Sequence, residues 1–350
     1  GIRLMAYSTI PKGSLYMNTK LYTGNGSTNN ITGVGFQPDM TWLKMTSNTD
    51  NHTLFDVVRG VTKRIFPNLT QAEGTEATSL TAFNTDGFTL GADGLANGNT
   101  EDFVSWNWKA NGAGSANTDG TINSTVSANT TSGFSIATWT GTGSNGSVGH
   151  GLGGVDCMII KDLSNARDFY FWQKTMAYNT RLELNNTEAF TTGTDNMTAL
   201  PDATKINMAV STQNNGSGNN YVGYFFQEKQ GYSKFGSYTG NGNANGPFIY
   251  TGFKPSFILA KRTDATAGWV LFDNKRIGYN GSGNYWLDAQ NAEADQTDAT
   301  GMFDQLSNGF KVRSSFGSRN ASGGNYIYMA FAENPIVATS GTSAIPVTAR

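Results

Sequence analysis

Leu21-Tyr22-Thr23-Gly24-Asn25-Gly26 decides the reading, because it returns as Thr138-Trp139-Thr140-Gly141-Thr142-Gly143 and as Ser237-Tyr238-Thr239-Gly240-Asn241-Gly242. Each is an aromatic, β-branched run entering a glycine turn, the composition of a strand that stops abruptly. Gly35-Phe36-Gln37-Pro38 likewise reappears as Gly252-Phe253-Lys254-Pro255 and, eroded, as Gly151-Leu152-Gly153-Gly154. Apolar runs ending in Lys44, Lys161 and Lys261 follow, then the aromatic runs Thr53-Leu54-Phe55-Asp56, Phe169-Tyr170-Phe171-Trp172 and Trp269-Val270-Leu271-Phe272-Asp273.

Each copy closes on a further aromatic run: Phe103-Val104-Ser105-Trp106-Asn107-Trp108, Tyr221-Val222-Gly223-Tyr224-Phe225-Phe226, and Tyr326-Ile327-Tyr328-Met329-Ala330-Phe331. Spacing holds: Lys44 to Val104 is 60 residues, Lys161 to Val222 is 61 and Lys261 to Ile327 is 66. A repeated internal register of this kind marks a repeated supersecondary unit. The first closing run alternates, with Val104, Trp106 and Trp108 on one expected core face and Ser105 and Asn107 on a wetter one. Asn308-Gly309 before Phe310-Lys311-Val312 is a hairpin signal.

About seven short strands in about 90 to 100 residues fit a small antiparallel β-sandwich. The expected fold is therefore all-β, with three tandem antiparallel β-sandwich repeats over residues 17–112, 134–228 and 232–336. Residues 113–133, poor in large apolar side chains, read as a polar linker, and 337–350 as a C-terminal tail. The short Gln227-Glu228-Lys229-Gln230-Gly231 connection predicts that the second and third units move as one body, with the first tethered.

Composition narrows function. Charged residues are only 14% of the chain and the formal charge is -2, so there is no basic field for nucleic acid. A single cysteine, Cys157, excludes internal disulfides and Cys-rich metal sites, and two histidines, His52 and His150, exclude a three-His zinc site. No apolar run reaches the roughly 18 residues of a membrane span. The expectation is a soluble chain, with Met5 resembling a natural start.

Several residues compete for a functional role. Lys44, Lys161 and Lys261 end equivalent strands, and Asp56 and Asp273 on the following strands predict cross-strand ion pairs there. His52 and His150 fall at turns and are expected at the surface. Glu73 with Glu76, and Asp288 with Glu293 and Asp295, cluster without the spacing of a calcium loop, so no metal and no cofactor is expected. Tyr279, Tyr285 and Trp286 stand among the glycines and asparagines of residues 278–286, where flat rings can stack on sugars while amides bond hydroxyls. These three are the candidate ligand contacts.

The motifs GFQPD (35–39), TLFD (53–56), LTAFNTDGFTLG (80–91), KFGSYTGNGNANGPFIYTGFKPSFILAKR (234–262) and NASGGNYIYMAFAENP (320–335) carry a resemblance. The chain resembles, over residues 5–350, a β-rich domain of unknown function found in tail-associated and virion structural proteins of marine phages, including cyanophages. The second copy departs from the pattern at its Gly-Phe-x-Pro. The resemblance implies a fold akin to jelly-roll or concanavalin-like domains, and a non-catalytic structural or host-attachment role in the phage particle. No catalytic or binding residue carries over from it. Partners so implied are other virion proteins, a host-surface glycan and a homo-oligomer, a trimer among them. Capsid decoration without a ligand, and a glycoside hydrolase or lyase that trims polysaccharide, are the alternatives; scarce histidine and the repeats favour binding over catalysis.

Overall fold

The computed structural model describes residues 8–276, 280, 283–298 and 302–335. The tail over 337–350 and Tyr279 lie outside them. Within them the chain is all-β, with antiparallel sheets and only single-turn helices at Gly13–Leu15, Gly94–Asn97 and Gly317–Asn320. No helix among the described residues is long and apolar enough to cross a membrane.

One pairing order occurs three times. An opening strand (Met17–Thr23, Phe134–Thr140, Ser233–Thr239) pairs with a closing strand (Asp102–Trp108, Asn220–Phe226, Asn325–Pro335). The closing strand pairs with a lysine strand (Met40–Met45, Cys157–Asp162, Phe253–Arg262), which pairs with an aromatic strand (Thr53–Asp56, Tyr170–Gln173, Trp269–Asp273). Three-stranded sheets accompany these, built from 29–32, 80–84 and 87–90, from 146–149, 197–199 and 205–208, and from 248–250, 303–306 and 309–312.

The closing, lysine and aromatic strands of each larger sheet are buried on both faces. In the first copy Leu43 and Phe55 pack with Ile31, Phe88 and Leu90 of the small sheet. Trp42, Trp106 and Trp108, on the opposite face, enter a core shared with the other two copies. Equivalent closing-strand rings meet there: Phe331 lies edge-on to Trp108 and to Phe226, with centroids 5.8 and 5.9 Å apart. The supposedly wet face is thus also dry, with Ser105 and Asn107 fully buried. Their polar atoms are satisfied inside the sheet, since Asn107 Nδ2 donates to Ser105 Oγ at 3.0 Å and to the Asn18 carbonyl at 3.1 Å.

The linker reading is corrected by the pairings. Ser124–Asn129 pairs with the opening strand Phe134–Thr140 and in turn carries Ser115–Asn117, so residues 113–133 extend the second large sheet to eight strands. Small side chains suffice because an edge strand is held by its backbone ladder, and Val126 and Ile122 still reach the core. The first copy is accordingly packed into the shared core and not tethered to it.

Candidate functional site

Tyr285 and Trp286 belong to a strand, Asn284–Asp288, that pairs with the aromatic strand of the third copy. Strand alternation turns their rings to opposite faces. Tyr285 lines a cleft against the first copy, with Arg276 and Asp295. Trp286 lines a groove of about 700 Å³ with Asp288, Gln290, Thr297, Phe316 and Arg319. The structure therefore separates two residues that the sequence places side by side.

The groove combines apolar and polar walls. Phe316, at the start of the Gly317–Asn320 turn, is 55% exposed. The Arg319 guanidinium sits 4.3 Å from the centroid of the half-buried Trp286 ring, a cation–π contact that fixes the indole. Burial holds the Asp288 carboxyl above its ordinary pKa, opposed by Arg319. Asn291 Nδ2 donates to Asp288 Oδ2 at 2.9 Å, orienting that carboxyl at the groove.

Comparison between copies shows that this surface is peculiar to the third. Trp286 occupies the register of Arg64 and Arg181, each one residue before the apolar residue that pairs with the aromatic strand. Phe316 occupies that of Asp93, the residue that caps the Gly94–Asn97 turn. In the first copy Arg64 Nη1 bonds Asp93 Oδ2 at 2.8 Å, closing the surface. In the second Arg181 is engaged by Glu183 and Asp195. The third replaces both partners of the first copy's ion pair by aromatic rings.

The lysines and histidines correct the sequence expectation. Lys44, Lys161 and Lys261 are buried, but Asp56 and Asp273 pair with Arg59 and Arg276 instead. Asp56 stands opposite Met40, at the far end of the lysine strand, out of reach of Lys44. The ammonium groups bond backbone carbonyls, two of them across copies: Lys161 Nζ donates to Thr70 O at 2.8 Å and Lys261 Nζ to Thr187 O at 3.3 Å. Burial lowers all three to a pKa of about 8.

His52 and His150 are fully buried and not surface turn residues. Trp42 Nε1 donates to His52 Nδ1 at 2.9 Å, so Nε2 carries the proton and donates to the Asp288 carbonyl at 3.1 Å. The carboxylate clusters are also engaged: Glu73 bonds Arg59, Asp295 bonds Arg276, and Glu76 bonds Thr78. Among the described residues no group of three His, Cys, Asp or Glu is arranged to hold a metal ion.

Sequence reasoning missed Phe316 and Arg319, which lie far from residues 278–286 along the chain. It also missed three buried asparagines, Asn97, Asn215 and Asn320, each seven residues before the closing Val104, Val222 or Ile327. Each clamps its own glycine turn; Asn320 Nδ2 donates to Asn241 Oδ1 and to the Asn243 and Ser314 carbonyls, at 2.9, 2.7 and 2.8 Å. The fixed spacing was the available signal.

Among curated proteins and among solved structures, none matches the chain. One family model does, over residues 12–335, which runs through all three copies. On that match the chain belongs to the family described as domain of unknown function DUF7483.

Proposed function

We propose that this chain is a non-catalytic virion structural protein of the tail-fibre kind, in which three jelly-roll-like sandwich units share one core and the third presents a glycan-binding groove. The observation that carries the binding reading is the exchange of the Arg64–Asp93 pair for Trp286 and Phe316 at the same register. A ring face offers a sugar its apolar side, while Asp288, Gln290 and Thr297 offer hydrogen bonds to hydroxyls. The placement in a phage particle rests on the sequence resemblance. Its partners in this reading are other virion proteins and a host-surface glycan.

Polysaccharide trimming is the weaker reading. Glycoside hydrolysis by the usual route needs two carboxyl groups flanking the scissile bond. Among the described residues lining the groove, Asp288 is the one acid.

A glycan array probed with the purified chain, followed by titration of each hit, tests the proposal. Trp286→Ala and Phe316→Ala should each weaken binding at least fivefold, since an aromatic contact contributes on the order of 1 kcal/mol. Binding unchanged in both variants would overturn the groove. An array with no hit at all would turn the reading to capsid decoration.

A further inference from the structure

Two clefts occupy equivalent places between copies, apart from the groove. One, of about 530 Å³, lies where the second copy meets the first: Thr140, Asn220 and Ser164 form its rim, Arg59 and Glu73 its base. The other, of about 570 Å³, lies where the first copy meets the third, with Thr23, Asp102 and Ser47 above Arg276 and Asp295.

Their hydrogen bonds match one for one. Thr140 Oγ1 donates to Asn220 Oδ1 at 2.9 Å, and Thr23 Oγ1 to Asp102 Oδ1 at 2.8 Å. The Asn220 N–H donates to Ser164 Oγ and the Asp102 N–H to Ser47 Oγ, both at 2.9 Å. The Glu73 N–H reaches the Leu163 carbonyl and the Asp295 N–H the Thr46 carbonyl, both at 3.0 Å. Arg59 Nη1 holds Glu73 Oε2 at 3.0 Å, as Arg276 Nη1 holds Asp295 Oδ1 at 2.5 Å.

The third interface is an internal control. The Phe190 N–H donates to the Thr263 carbonyl at 3.0 Å, so the same backbone frame joins the third copy to the second. Yet Met176 and Phe190 stand where the other two interfaces carry arginine and carboxylate; Gln173, Asp56 and Asp273 each lie three residues before Met176, Arg59 and Arg276. Assembly thus does not need the charged pair, and burying one costs desolvation. Its retention at two interfaces calls for another reason.

The chemistry at the base defines the ligand. Each arginine faces two carboxylates, Asp56 with Glu73 or Asp273 with Asp295, which leaves the base negative and unsuited to an anion. The arginines are 2% and 4% exposed, whereas Glu73 and Asp295 are 19% and 14% exposed, so the carboxylates are the groups a ligand meets. Hydroxyl groups ring both mouths, joined by the Asn220 amide in the first and the Asp102 carboxylate in the second. We infer that the two clefts are a matched pair of binding sites for an uncharged sugar residue, whose hydroxyls donate to Glu73 in one and Asp295 in the other. The ligand class rests on the glycan reading above, but none of these residues lines the groove.

The test is calorimetric titration of the full chain with neutral oligosaccharides of glucose, galactose and mannose, four to six residues long. Glu73→Gln and Asp295→Asn should each weaken one site at least tenfold while thermal stability stays close to that of the parent. The triple exchange Asp56→Gln, Arg59→Met and Glu73→Phe, which installs the second copy's own residues, should remove one bound saccharide. Trp286→Ala should leave both clefts loaded. Unchanged affinity at both sites in Glu73→Gln and Asp295→Asn, no binding of any neutral oligosaccharide, or loss of all binding in Trp286→Ala would overturn the inference. The last result would leave the groove standing; loss confined to the cleft variants would spare the clefts and remove the groove.

Discussion

His52 illustrates how a polar side chain becomes part of a hydrophobic interface. Its neutral ring accepts from Trp42 and donates to the Asp288 carbonyl of another copy, so both nitrogens are used. A second proton would have to sit on Nδ1, facing the indole N–H. Burial, with Lys44 adding to it, accordingly holds the pKa well below that of a free imidazole. The unfolded chain takes up that proton near pH 6.5 and the folded chain does not, so stability from this group is present above 6.5 and is lost as pH falls. The stability difference between the protein and His52→Gln should shrink between pH 6.5 and 5, by up to about 1.4 kcal/mol per pH unit. Chemical denaturation at several pH values measures it; a difference that is flat across this range would contradict a buried, neutral imidazole at His52.

Among elements, Ser124–Asn129 departs furthest from its sequence. Thr, Ser, Val and Ala alternate there without the aromatic signal of the other strands, yet six backbone positions pair with the opening strand. The Asn111 N–H donates to Ser127 Oγ, and the Asp39 carboxylate accepts from the Ala110 and Gly112 N–H groups, so the passage out of the first copy is bonded along its length. Hydrogen exchange should therefore show residues 125–129 protected as strongly as the paired strand 134–140, with no cleavage by protease at 124–129 before global unfolding. Fast exchange throughout 125–129 would restore the flexible linker. By contrast, the turn before 309–312 was legible: a Cβ on Gly309 would meet the Ile249 carbonyl oxygen at 2.0 Å, so the glycine of the Asn-Gly pair is required by close strand approach.

For the whole molecule, the shared core decides cooperativity. Phe331 touches Trp108 of the first copy and Phe226 of the second, and Phe257 touches Trp106 and Trp108. A unit removed from the others would expose these rings. Calorimetry should thus record one unfolding transition, not three, and Phe331→Ala should shift all of it at a cost of about 3 to 5 kcal/mol. Separate transitions, or a shift in only one, would show that the units hold independent cores.

The sequence by itself determined strand content, the threefold recurrence and the apolar closing runs, because period-2 alternation and turn residues act locally. It also pointed to Trp286. Only the tertiary structure decided that Ser105 and Asn107 are dry, that Lys161 and Lys261 bond carbonyls of neighbouring copies, and that Phe316 and Arg319 complete the groove. Each of these depends on a second surface brought in from far along the chain, and no local pattern records which surface that is. Burial on both faces, and the meeting of Trp286 with Phe316, arise only when three sheets close on a common core.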